Sequence, residues 1–133
     1  MAYEEILQTI TYAADEDLSS KQYFCVAAST DGQAKVVATR GATVLGVNQE
    51  KSTAAGISTK IGVYGVSKVA AGDTSAGSAI VAGDMLMSSS VGRAVPTTLN
   101  IGDLVFGQAL TPLAASVTGT ISVLIRGPRP SSS

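Results

Sequence analysis

Short apolar runs that end or break at glycine recur along this chain, and that spacing suits strands rather than helices. The clearest case lies in residues 100–110, where the turn Gly102-Asp103 launches Leu104-Val105-Phe106 and Gly107 interrupts the run before Gln108-Ala109-Leu110. Gly83-Asp84 opens Met85-Leu86-Met87 in the same way, and Thr43-Val44-Leu45-Gly46-Val47 is a looser variant. Glycine supplies the positive φ that tight turns need, whereas inside a helix it costs about 1 kcal/mol against alanine. Each Asp in these phrases sits where its carboxylate can bond the turn backbone. The predicted fold class is all-β, a small β-barrel or β-sandwich-like domain of short strands.

Strand signals follow one another from Lys21 onward. Residues 22–28 read as a strand, Thr30-Asp31-Gly32 as a turn and residues 33–39 as the return strand of a hairpin. Residues 43–49 form the next strand and residues 50–56 a loop of small side chains. In residues 58–69, Ile61 and Val63 alternate with Lys60, Gly62 and Tyr64, and Gly65 marks a bulge or barrel corner. Residues 70–79 form a loop, followed by strands at 85–88, 93–95 and 104–110. The last strand has the cleanest pattern. Val117, Ile121, Val123 and Ile125 share one face, with Thr118, Thr120, Ser122 and Arg126 on the other. Phe106, one of only two phenylalanines, is a leading core candidate.

The two ends differ from this body. Tyr3, Ile6, Leu7 and Ile10 have helical spacing, but Thr9-Ile10-Thr11-Tyr12 favours an extended backbone. The extended reading is preferred, which makes residues 1–20 an N-terminal arm, residues 21–126 a β-barrel-like domain and residues 127–133 a mobile tail without periodicity. The arm can pack on its own domain or wait for a partner to order it. Tyr3 and Tyr12 suit either role, because tyrosine offers contact area at low entropic cost.

The missing chemistry narrows function. There is no histidine, which removes the commonest general base and zinc ligand, and one cysteine cannot form an internal disulfide. Cys25, within Tyr23-Phe24-Cys25-Val26, is expected to be a buried small hydrophobe. Asp73, Asp84 and Asp103 are expected to fix turns rather than hold calcium. Residues 41–46 have phosphate-loop glycine spacing, but Val47-Asn48 stands where Lys-Ser or Lys-Thr is required. No enzyme, cofactor, metal or small-molecule substrate is expected. A net charge of −1 gives no footprint for nucleic acid, and no apolar run approaches the roughly 18 residues of a membrane span. Glu4 and Glu5, with no basic start, argue against a secretory signal. Charged residues make up only 14% of the chain against 45% hydrophobic, which points to surface covered by another chain.

Several phrases together resemble the small capsid decoration, or cement, proteins of tailed bacteriophages. They are Gln8-Thr9-Ile10-Thr11-Tyr12-Ala13-Ala14, Ala42-Thr43-Val44-Leu45-Gly46-Val47, Ala55-Gly56 and Lys60-Ile61-Gly62-Val63-Tyr64-Gly65-Val66. Gly83-Asp84, Gly102-Asp103, Phe106-Gly107-Gln108-Ala109-Leu110 and the closing strand at 119–125 complete the set. Asp17-Leu18-Ser19-Ser20 departs from it, standing where the family usually has a glycine turn.

The resemblance implies a homotrimer, made in the host cytoplasm, that sits on the outer surface of the expanded capsid and stabilises it. It also implies that the arm contacts the major capsid protein, with Tyr3, Ile6, Leu7, Ile10 and Tyr12 as interface candidates. Two alternatives remain: another virion β-domain such as a fibre or tail component, and a barrel-sandwich carrier module for biotin or a lipoyl group. A carrier needs a lysine at an exposed hairpin tip, and Met85-Leu86-Met87 has none beside it.

Overall fold

The fold is a computed structural model that describes residues 5–72, 79–97 and 104–130, the side chains at 5–7 and 127–130 excepted. Nine strands and no helix account for the regular structure among them: β1 (Glu5–Ala13), β2 (Cys25–Ala28), β3 (Ala34–Val36), β4 (Gly46–Asn48), β5 (Ser58–Gly72), β6 (Met85–Ser88), β7 (Ala94–Pro96), β8 (Leu104–Ala109) and β9 (Thr118–Pro130). The all-β expectation holds. So does the hairpin at residues 22–39, in which Val26 pairs with Val36 and Ala28 with Ala34.

β5 is long enough to serve two rings. Its second half pairs antiparallel with β9 from Gly65↔Ile125 to Gly72↔Thr118, and on its other edge meets β7 in parallel at Ala71↔Ala94. β7, β6, β8 and β9 follow in order, so five strands close a barrel. The first half of β5 pairs with β1 on one edge, through Ile10↔Ile61 and Tyr12↔Thr59, and with β4 on the other, through Val47↔Gly62. β4 continues to β2 and β3, and a parallel bridge from Ala14 to Ala34 brings that second ring back to the end of β1. The break expected at Gly65 falls at this handover. Gly65 has φ 114°, and the β1–β5 register slips next to it, between Ile6 and Gln8 and again between Gln8 and Thr9.

The two rings are one unit used twice. Val26 pairs with Val36 and Gly46, and in the barrel Leu86 pairs with Pro96 and Gly107. Ala34 is bridged in parallel by Ala14, as Ala94 is by Ala71. The Ser29 N–H donates to Gln33 O and the Gly32 N–H to Ser29 O; Ser89, Arg93 and Gly92 repeat both bonds. Leu18 donates to Ser52 O where Ile80 donates to Leu113 O. In this correspondence β1 plays the part of the second half of β5, and the first half of β5 plays the part of β9.

The cores obey the same correspondence. Val26, Ala34 and Ile61 are buried in the first ring, with Ile10, Tyr12, Val36, Leu45 and Val63 packed against them. Six of their eight counterparts, Leu86, Ala94, Val123, Val69, Phe106 and Ile125, belong to the main core, and the other two are Ser67 for Ile10 and Pro96 for Val36. Phe106, at 1% exposed, heads the buried side chains by size, as expected. Burying a residue of this kind stabilises by roughly 1.5–3 kcal/mol. Cys25, Val37, Val44 and Val47 also join the main core, so the rings share packing as well as a strand.

Glycine is required where one strand lies tight against the next. A Cβ at Gly46 would stand 2.5 Å from the Gly62 carbonyl oxygen, and one at Gly107 would stand 2.7 Å from that of Leu124. These are counterpart positions, and the close approach expected of Gly107 is present in both rings. The other Gly-type position is filled differently. Gly83 has φ 100°, and its counterpart Tyr23 holds φ 70°, a conformation costly for a residue with a Cβ.

Asn48 ties the loops of the first ring together. It is fully buried; its Nδ2 donates to Lys21 O at 2.9 Å and Glu50 O at 2.7 Å, and its Oδ1 accepts from the Thr59 hydroxyl. Asn48→Leu strands those partners. Losing roughly 2 kcal/mol or more is expected, since each buried polar group left unpaired costs about 1–3 kcal/mol; urea unfolding measures it.

Four expectations need correction. The loop expected at residues 70–79 does not take in Ala70, Ala71 and Gly72, which are strand in β5 and pair with β9. The tail does not begin at Gly127: β9 runs to Pro130, with Leu104↔Pro130 and Val105↔Arg129 paired, because ladder bonds need no side-chain alternation. Residues 131–133 lie outside the described residues. Val117 precedes β9 and is 42% exposed, so it does not share the buried face of Ile121, Val123 and Ile125, while Ser122 on the opposite face is buried. Of residues 43–49, only Gly46–Asn48 is strand.

Candidate functional site

Asp84 accepts the Val81 N–H at 2.9 Å through Oδ2, the turn-fixing role expected of it. Asp73 and Asp103 lie outside the described residues. No group of His, Cys, Asp and Glu among the described residues is arranged to hold a metal ion. No helix there is long and apolar enough to cross a membrane.

Cys25 is fully buried, as expected, and burial pushes its thiol up to about 12, a hydrogen bond with Ser88 offsetting part of the rise. The folded chain therefore keeps this proton where an unfolded chain, near the ordinary value of about 8.5, has lost it. Below that value the thiol contributes nothing to pH dependence. Between it and about 12 the stability falls as pH rises. A thiol reagent at pH 8 is expected to leave Cys25 unlabelled in the folded protein and to label it fully in denaturant.

Residues 5–13 of the predicted arm form the nine-residue strand β1, which pairs with β5. Ile10 and Tyr12 point to the first-ring core and are half-buried there, while Gln8, Thr9 and Thr11 are exposed. Ile6 lies in β1 with its backbone opposite Gly65, Leu7 falls at the register slip, and Tyr3 lies outside the described residues. Of the five interface candidates, then, the structure brings Ile10 and Tyr12 together over Val26, Ala34 and Ile61. Beyond β1, Ala14 and Leu18 are buried, and the N–H of Asp15 donates to Ala34 O at 2.7 Å.

A second surface was not singled out from the sequence. Phe24 carries two cations on its ring, Lys21 Nζ at 4.8 Å and the Arg93 guanidinium at 4.8 Å, and Lys68 Nζ lies 5.9 Å from the Tyr23 ring. Lys21 and Lys68 stack from the same ring as their aromatics or its shared strand, whereas Arg93 reaches across from the barrel. The signal available in sequence was the paired turns Ser29-Thr30-Asp31-Gly32 and Ser89-Ser90-Val91-Gly92. Elsewhere the large apolar side chains left exposed are Ile57, Tyr64, Val81, Val91 and Val117. The clefts are shallow, and one of about 320 Å³ is lined by Gly83, Asp84, Met85, Pro96 and Thr97.

A family model described as phage cement protein matches residues 4–126. Among solved structures, the crystal structure of head fiber gp8.5 N base in bacteriophage phi29 is similar, with a TM-score of 0.55 and 21% identity over 89% of this chain and 92% of that one. At that identity the likeness is one of fold. No curated protein matches the chain.

Proposed function

Because this chain belongs to the phage cement protein family, and is thus a structural protein of a phage virion, we propose that it decorates the outer surface of the expanded capsid as a homotrimer and stabilises the shell. The match over residues 4–126, which takes in both rings, is the observation that carries this reading. A protein that binds only the expanded shell stabilises it by mass action, with no chemistry required. A trimer that engages several capsid subunits at once gains avidity from modest single contacts. No catalytic role is proposed.

The capsid contact is assigned to the N-terminal strand, with Tyr3, Ile6, Leu7, Ile10 and Tyr12 as its residues and the major capsid protein as its partner. Ile10 and Tyr12, seated on the first-ring core, hold the strand in place. Ile6 and Leu7 stand at or next to the register slip of β1. Adding the purified protein to expanded, undecorated shells is expected to raise their thermal disruption temperature, and a triple variant Tyr3→Ala, Ile6→Ser, Leu7→Ser to raise it much less. An unchanged disruption temperature with wild-type protein contradicts the stabilising role. Full activity of the triple variant contradicts the role of the strand.

A further inference from the structure

Two faces of the molecule carry opposite charge, and each holds an exposed aliphatic side chain. The first is built where the barrel turn at residues 89–93 is seated on Phe24, Cys25 and Val36. The Cys25 N–H donates to the Gly92 carbonyl at 2.8 Å, and a Cβ at Gly92 would stand 2.5 Å from Val36 Cγ1 and 3.4 Å from Phe24 Cδ2. Lys21 Nζ and the Arg93 guanidinium each lie 4.8 Å from the centroid of the Phe24 ring. The ring orients both cations without neutralising them, and neither is ion-paired among the described residues. Val91, in the same turn, is 56% exposed.

The second face is acidic. Asp15, Glu16 and Asp17 follow β1, and Asp17 is exposed. The Ala14 N–H donates to Ile57 O at 2.9 Å and the Gly56 N–H to Ala14 O at 2.7 Å, so the run lies beside the loop that carries Ile57. Ile57 is 46% exposed. Glu50 and Lys51 share a shallow cleft with it and offset each other in charge. The run is held at both ends, by the Asp15 N–H donated to Ala34 O at 2.7 Å and by the N–H of the fully buried Leu18 donated to Ser52 O at 2.8 Å.

Leu18 also joins the two faces, since its carbonyl accepts the Lys21 N–H at 3.0 Å. In a chain with only 14% charged residues, three carboxylates in a row and two cations on one ring are concentrated charges of opposite sign. An aliphatic side chain beside a charged rim is the make-up of a docking surface. Both surfaces are ordered in advance, which lowers the cost of bringing them together, and their opposite charges favour one mutual orientation.

We propose that a second copy of this chain docks Ile57 and the run Asp15-Glu16-Asp17 on Val91, Lys21 and Arg93 of this one. Aliphatic meets aliphatic, carboxylates meet the two cations, and each copy both gives and receives the contact. This inference rests on the self-association in the reading above and names its surfaces.

The test reverses charge on each face and reads molar mass by light scattering after size exclusion at low salt. Asp15→Lys with Glu16→Lys alters the acidic face and spares Asp17, whose Oδ1 accepts the Ser19 N–H. Lys21→Glu with Arg93→Glu alters the other. The wild-type protein is expected to be oligomeric, and each pair to weaken association by about tenfold or more, because like charges then face each other. All four changes in one chain restore the complement at an unchanged net charge of −1, and the wild-type mass is expected to return. If Lys21→Glu with Arg93→Glu lowers the melting temperature, Val91→Glu on the exposed turn replaces it. Folded variants that keep the wild-type mass overturn this contact and leave the trimer standing on another face. A folded four-fold variant that stays dissociated overturns the contact as well. A monomeric wild-type protein overturns both the contact and the trimer, whereas the capsid-binding reading is tested separately on shells.

Discussion

Phe106→Ala is expected to lower the unfolding free energy by about 3–5 kcal/mol, the range for truncating a fully buried phenylalanine. Phe106 is 1% exposed in the main core, and the strand that carries it is pinned between β6 and β9. Gly107, the next residue, has no room for a side chain against Leu124, so β8 cannot shift to refill the space. The counterpart truncation, Leu45→Ala, removes a half-buried residue from the smaller first-ring core, and a loss of roughly 2 kcal/mol or less is expected. Chemical denaturation of the two variants compares the rings directly. Equal losses would mean that the first ring is packed as tightly as the barrel.

Deleting residues 2–12 is expected to open the first ring and leave the barrel closed. The deletion takes away Ile10 and Tyr12 from above Val26, Ala34 and Ile61, and leaves the β1 edge of β5 without a partner. The second half of β5 keeps its pairing with β9 from Gly65 to Gly72. Hydrogen exchange separates the two halves of one strand: amides at residues 58–64 that face β1 should lose protection, and those at 66–72 should keep theirs. Uniform loss along β5 would show that the rings unfold together, and unchanged protection would show that β1 contributes little to the first ring. The deletion also bears on capsid binding. The contact is therefore better tested by side-chain changes at Tyr3, Ile6 and Leu7, which leave the chain of β1 in place.

Much of the fold was legible because its signals are local. The turn at Thr30-Asp31-Gly32, the strand at Met85-Leu86-Met87-Ser88 and the alternation of Ile121, Val123 and Ile125 each depend on neighbours a few residues away. Phe106 stood out because it is a rare large side chain inside a glycine-broken run. The resemblance between Val44-Leu45-Gly46 and Val105-Phe106-Gly107 was visible too. What it meant was not, since the duplicated ring emerges only when β5 is seen to serve both units. The two copies share pairing and hydrogen bonds while differing in side chains: Val26 against Leu86, Leu45 against Phe106, Tyr23 against Gly83.

The candidate surface was less legible. Ile10 and Tyr12 were singled out as aromatic and apolar residues of an arm, and the counterpart of Tyr12, Val69, shows the same place used for packing. Whether an apolar side chain faces a core or a partner depends on long-range pairing, here Ile10↔Ile61 and Tyr12↔Thr59, and one sequence carries no record of it. The strand at Gly127–Pro130 was missed for a related reason. Two prolines and a glycine erase the periodic signal, but pairing with β8 needs only backbone groups on the proper edge. The seat around Phe24 was hidden because its occupant arrives from a turn far along the chain.

The proposal that the protein decorates the capsid is tested most directly by co-sedimentation. The purified full chain is mixed with expanded empty capsids and, in parallel, with unexpanded procapsids of the same phage, and the bound copies per shell are counted across a titration. Saturable binding to the expanded shell, at a plateau divisible by three and with little retained by procapsids, is the expected result. No pelleting with expanded capsids, or equal binding to both shells, would contradict it.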